Sequence, residues 1–173
     1  MAGLRGVFFD TSVLLAGMID FGRGSHHAQL LMDAVADGRI QRPLTAWHCC
    51  LEFYSVTTRL PEEYRLEPEL ALRFLREEVF ARFSVQGLPM ERREEFLVSA
   101  AGQGTAGGRI YDAHIAEIAR LAGAKLVATE NRRHFTSLLR HGIRVLVSVE
   151  LAAELRLGVD SAGPTTNLRV DQG

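Results

Sequence analysis

The sequence predicts an α/β domain: three layers, with a central, mostly parallel twisted sheet between helices. Short β-branched or aromatic runs such as Val7-Phe8-Phe9, Leu126-Val127-Ala128 and Val145-Leu146-Val147 read as buried strands. Segments with helical periodicity separate them, and that alternation implies parallel pairing with right-handed crossovers. The length of 173 residues suits a single core.

In chain order, strand 7–9 ends at Asp10, and 11–18 forms a short helix or turn. Ser25 is an N-cap candidate for a helix to Ala36, which Asp37-Gly38 stops. Arg42–Thr45 reads as a second strand, followed by a helix from Ala46 to about Arg59 that Pro61 closes. A helix over 67–81 carries Leu70, Phe74, Leu75 and Val79 on connected faces, and Phe83-Ser84-Val85 is a further strand. Helix 90–101 leads into the loop Gly102-Gln-Gly-Thr-Ala-Gly-Gly108. A strongly patterned helix covers 110–122, with Gly123 as its left-handed cap. Helix 131–140 separates the last two strands, and a final helix occupies 149–157. The expected domain is therefore 1–157. Residues 158–173 lack periodicity and carry Gly, Pro, Thr and Asn, so a flexible tail is expected there.

Composition excludes several classes. No run approaches the roughly 20 apolar residues that span a bilayer. No basic stretch precedes a long apolar one, so no secretory signal is expected and the protein should stay in the cytoplasm. Cys49 and Cys50 are adjacent, a poor arrangement for a mutual disulfide, and are expected as free thiols. A formal charge of −1 disfavours a passive nucleic-acid coat, which would be strongly basic, but is compatible with an enzyme that concentrates cations in one acidic pocket.

Ligands of an open parallel sheet bind beyond the carboxyl ends of its strands. Two strands end in polar clusters there, Asp10-Thr11-Ser12 and Thr129-Glu130-Asn131. Asp10 before Thr-Ser is also a common helix cap. Glu52 is the only formally charged residue between Thr45 and Thr58, with Cys49 and Val56 beside it on a helix. Such a carboxylate needs a partner or a metal, unless it turns outward or pairs with Arg59. Asp112 shares the apolar side of its helix with Ile115, Ala116 and Ala119, where a first-turn acid can also favour the helix dipole. Taken together these acids suit a hard divalent cation, which prefers oxygen ligands and retains waters. They fit phosphodiester hydrolysis without a covalent enzyme intermediate.

FFDTSVLL at 8–15, LEFYSV at 51–56, IYDAHIAEIA at 110–119 and LVATENRRHF at 126–135 resemble, in that order, the PIN-domain family, particularly its VapC-type toxin endoribonucleases. The resemblance covers roughly residues 6–150. It implies a Mg2+- or Mn2+-dependent endoribonuclease with Asp10, Glu52 and Asp112 as metal-site acids and Thr11 and Thr129 as supporting hydroxyls. The fourth acidic position of many members falls at Asn131, which brings no negative charge; Glu130, one residue earlier, is the other candidate. The family further implies a small antitoxin partner and a homodimer, with apolar helix faces around residues 47–80 as candidate surfaces. A free-standing RNA-processing nuclease, and a catalytically silent PIN-like module binding RNA or protein, are the alternatives. Arg132 and Arg133 beside the site are candidates for RNA phosphates, or a solvated basic face.

Other motifs are weaker. Gly102–Gly107 matches G-x-G-x-x-G literally but follows a helix, not the strand a dinucleotide site needs. The six histidines have no metal-binding spacing, although His134 falls near the site. Ser12 stands where aspartate-nucleophile phosphatases carry a second Asp, and G-x-S-x-G is absent.

Overall fold

The fully buried Val7, Phe8 and Phe9 form the central strand of the main sheet, which grows outward on both sides of them. The computed structural model describes residues 3–160, the side chains of 157–160 excepted. Its strands are β1 (Leu4–Arg5), β2 (Val7–Phe9), β3 (Ile40–Gln41), β4 (Leu44–Ala46), β5 (Ser84–Gln86), β6 (Leu126–Ala128) and β7 (Arg144–Leu146). Its α-helices are α1 (Thr11–Met18), α2 (His26–Ala36), α3 (Trp47–Thr57), α4 (Pro68–Phe74), α5 (Arg93–Gly102), α6 (Arg109–Leu121) and α7 (Ser148–Asp160).

The main sheet has the order β5-β4-β2-β6-β7, and each of its pairings is parallel. Phe8 sits opposite Leu44 on one side and Val127 on the other. The chain first moves from β2 out to β4 and β5, then returns to build β6 and β7 on the far side of β2. Right-handed crossovers therefore put α1–α4 on one face and α5 and α6 on the other. Packing agrees: α1 lies on α2 and α3, α3 on α4, and α6 on α5. α7 returns to pack on α2. The direction of winding reverses between β2 and β6. That is the switch point where such sheets open a crevice.

Several elements differ in detail from the sequence reading. The strand expected at 42–45 is β4, shifted to 44–46; Arg42, at φ 51 in the left-handed conformation, separates it from the short β3, which pairs with β1 outside the main sheet. The helix expected over 67–81 is α4 followed by a π-helical turn, Leu75–Phe80, a hydrogen-bonding change that side-chain periodicity does not register. The helix expected at 131–140 is a 3-10 run, Arg132–His141, ended by Gly142 in the left-handed region. Ser25 does not cap α2 with its side chain. Its buried hydroxyl instead donates to the Ile19 carbonyl and accepts the Phe21 N–H, closing the turn between α1 and α2. α7 continues three residues beyond the expected boundary at 157, and the rest of the expected tail, 161–173, lies outside the described residues.

The α1–α2 contact is the tightest test of this packing. A Cβ on Gly17 would stand 2.6 Å from Met32 Cγ and 3.2 Å from the Ala28 carbonyl oxygen. The Met32 side chain can shift; the α2 backbone cannot without separating the helices. Gly17→Ala is expected to cost about 1–3 kcal/mol of stability despite its better helix propensity. Urea unfolding measures this, and an unchanged or higher midpoint would contradict it.

Candidate functional site

Asp10 leaves the end of β2 at the switch point and is held there from both flanks. Its N–H donates to the Ala128 carbonyl of β6 at 3.0 Å, and its own carbonyl accepts the N–H groups of Val13 and Leu14 as α1 begins. The side chain does not cap α1, so the capping alternative is not what the structure shows. Instead Oδ2 accepts two hydroxyl donors, Ser12 Oγ at 2.8 Å and Thr129 Oγ1 at 2.8 Å. Each hydroxyl also accepts a backbone N–H from the loop after β6: Ser12 from Glu130 at 2.9 Å, Thr129 from Asn131 at 3.0 Å. Two hydroxyls thus join the ends of β2 and β6 around one carboxylate.

Asp10 is only 6% exposed. Burial pushes its carboxyl above the ordinary 3.8, the Ser12 and Thr129 hydrogen bonds and the Thr11 N–H pull back, and the charge of Glu52 pushes further up. Glu52 comes from α3, one layer along. Thr11 Oγ1 donates to Glu52 Oε2 at 2.5 Å, and His48 Nε2 lies 3.6 Å from Oε1 one helical turn earlier. Glu52 therefore neither pairs with Arg59 nor turns away; Thr11, the residue following Asp10, ties it in place. The buried Cys49 thiol lies within the field of Asp10. Burial first, then that charge, push it up to about 12, and burial pushes Cys50 to about 11. Both cysteines are free and inert as nucleophiles at neutral pH.

Asp112, in the first turn of α6, is about one-third exposed, and its Oδ2 lies 3.2 Å from His134 Nδ1. His134 belongs to the 3-10 run that follows Asn131. Tyr111, the neighbour of Asp112, stacks on His48 with ring centroids 5.3 Å apart and an interplanar angle of 19°. Asp112 is thereby set among residues adjoining Glu52 on one side and Asn131 on the other. The histidine contacts were the least legible part of the sequence: His48 and His134 are surface and packing residues by spacing, yet each touches a candidate acid.

The β6 loop separates the two candidates for the fourth position. Glu130 accepts a hydrogen bond from Ser148 at the start of α7, and so turns from Asp10. Asn131 is exposed, with its N–H on Thr129. Arg132 is paired with Glu150 of α7, whereas Arg133 is an exposed cation beside it. The donors of Asp10, Glu52, Asp112 and Asn131 are all oxygens, which fits a hard divalent cation. Among the described residues, no group of three His, Cys, Asp or Glu side chains is gathered closely enough to hold a metal ion by itself. Magnesium needs no such all-protein cage, because it keeps several waters and binds through one or two carboxylates.

The fold is thus an α/β domain with a parallel sheet, a buried carboxylate at its switch point and a second one tied beside it. The chain belongs to the PIN-domain family: a PIN domain family model matches residues 7–138. It is 37% identical over 102 residues to Ribonuclease VapC27 of Mycobacterium tuberculosis, covering 58% of this chain and 71% of that protein. Among solved structures it is similar to VapC20 of Mycobacterium tuberculosis, described as a Sarcin-Ricin loop cleaving toxin (14% identity, 70% of this chain and 86% of that one, TM-score 0.53). It is also similar to a DNA-bound VapBC from Salmonella typhimurium (21% identity, 84% and 98%, TM-score 0.54). At these identities the structural likenesses establish the fold.

A raised carboxyl has a defined sign in stability. The native state holds its proton more tightly than the unfolded chain, so stability falls as pH rises from 3.8 through the folded value and stays low above it. In metal-free protein at pH 7, Asp10→Asn is expected to raise the melting temperature, by about 2–4 °C for each kcal/mol relieved. A lower melting temperature would show that the hydroxyl donors more than offset burial. Added Mn2+ should then stabilise the parent protein and leave Asp10→Asn unmoved.

Proposed function

We propose that this protein is a Mg2+- or Mn2+-dependent endoribonuclease that hydrolyses RNA phosphodiester bonds, acting as the toxin of a VapBC-type toxin–antitoxin pair in the cytoplasm. The observation that carries the reading is the buried Asp10 carboxylate, held by Ser12 and Thr129 and facing the charge of Glu52, in a PIN domain 37% identical to a ribonuclease. A buried carboxylate next to a second acid is disfavoured in its charged form unless a cation compensates.

Asp10, Glu52 and Asp112 would hold the metal, directly or through water, with Asn131 assisting. Bound there, a divalent cation supplies a water of lowered pKa and stabilises charge on the leaving oxygen. The remaining work is done by the chain. Thr129 and Ser12 fix the Asp10 carboxylate, Thr11 fixes Glu52, and His134 steadies Asp112. Arg133 is placed to take an RNA phosphate; Arg132 would do so only by giving up Glu150. Because Glu130 is engaged by Ser148, Asn131 is the better candidate for the fourth position.

The VapBC relative supports a small antitoxin as partner. A homodimer is part of the same proposal. Trp47, Leu51 and Tyr54 line one exposed stripe of α3, and Phe80 stacks beside Trp47 with centroids 6.2 Å apart. This places unpaired apolar surface within the expected 47–80 region. No helix among the described residues is long and apolar enough to cross a membrane. The nuclease domain is proposed to end with α7.

One observation favours a second reading. Asn in place of an acid lowers the charge available to a cation, which suits a module that binds RNA or a protein without cutting. Calorimetric titration with Mn2+ separates the two, since that module would take up no metal. For the nuclease, Asp10→Asn and Asp112→Asn are expected to lower RNA cleavage by more than the roughly 10–100-fold that removing an outer-shell partner costs. Cleavage of a labelled RNA by folded variants at parental rates would overturn the assignment.

A further inference from the structure

A cavity lies on the α5–α6 side of the sheet, one helical turn beyond the Asp112–His134 contact. It is an open cleft lined by α5, α6, the rim of the glycine loop and the 3-10 run, with a volume of about 400 Å3. That falls within the roughly 300–1,000 Å3 of small-ligand pockets. Ala113 and Ala116 form its floor, their small side chains leaving the space open. Ala113 directly follows Asp112. The cavity thus begins where the candidate active site ends.

Its walls carry the chemistry that recognises a nucleobase. Phe96, tilted against His114 at 5.5 Å between centroids, supplies an aromatic surface. Across from it, Glu117 grips Arg120 in a bidentate pair, at 2.9 Å to Nε and 2.7 Å to Nη2. This fixes the guanidinium plane before any ligand arrives. Gln103, its amide donating to Ser99 at 2.9 Å, places a donor–acceptor pair at the rim. Arginines lining the cavity outnumber acids three to two, and Arg140 and His141 stand at its edge, where a phosphate would meet them.

We propose that this cavity is a recognition pocket for one splayed-out nucleotide of a single-stranded RNA, adjacent to the nucleotide whose phosphate lies at Asp10, Glu52 and Asp112. Unstacked bases are read by stacking on aromatic rings or guanidinium planes together with hydrogen bonds to their edges, and both are built here. The inference rests on the ribonuclease reading and adds to it a determinant of sequence preference. It also gives the glycine-rich segment 102–108 a role, as the rim that frames the base.

The test has two independent arms. In the first, isotope-labelled protein is titrated with AMP, GMP, CMP and UMP, with inorganic phosphate as the control. At least one nucleotide is expected to shift the Gln103, Ala113 and Ala116 amides saturably where phosphate does not. Arg120→Met and Gln103→Ala should each weaken that binding by about 5-fold or more. No response beyond that of phosphate, or parental binding by both variants with native spectra, would overturn the pocket. In the second arm, 5′ ends of fragments cut from a randomised RNA pool are sequenced. Arg120→Met should erase a base preference at one position flanking the cut, and a preference identical to the parent's would count against the pocket. If the parent binds a nucleotide but cuts nothing, the nuclease reading falls and the pocket stands.

Discussion

The constraint on which this structure turns is the burial of one carboxylate at the place where the sheet changes its direction of winding. Asp10 leaves a fully buried strand and is itself almost wholly cut off from solvent. The fold supplies hydroxyls instead: Thr129 and Ser12 donate to one carboxylate oxygen, and each also receives an N–H from the loop after β6. Neither side of the crevice can shift without releasing a buried polar group, a loss of about 1–3 kcal/mol apiece. The precision of the site is therefore a by-product of satisfying its own desolvated atoms.

That arrangement explains why the surrounding chemistry is quiet. The Cys49 thiol is held protonated by its own burial and by the negative charge of Asp10. What remains around Asp10 is a set of oxygen donors, with cationic side chains at the rim. The tied-down Arg132 and exposed Arg133 show the division of labour at the rim, one cation spent on the fold and its neighbour left to solvent.

The sequence made the strands legible because three-residue apolar runs ending in polar clusters have few other uses. Asp10, Glu52 and Asp112 stood out for a related reason: each is a charge where the local pattern calls for an apolar or capping group. Backbone detail was hidden. Arg42 in the left-handed region, the π-helical turn at Leu75–Phe80 and the 3-10 run at Arg132–His141 all alter hydrogen bonding without altering hydrophobic period. The partners of the acids were hidden too. Ser12 and His48 are near Asp10 and Glu52 in sequence and His134 is expected near the site, but a serine beside an aspartate or a histidine on a helix carries no signature of the contact it makes. The choice between Glu130 and Asn131 likewise turned on Ser148, 18 residues away.

The grip of α7 on the loop after β6 has a consequence for synthesis. Ser148 holds Glu130 and Glu150 holds Arg132, so the loop beside Asp10 acquires its final shape only after a helix made 18 residues later has docked. A nascent chain still threading out of the ribosome at that point carries its acids but lacks the clasp that orders their neighbours. In chain order, two side-chain ties of the loop beside Asp10 are therefore the last to become available.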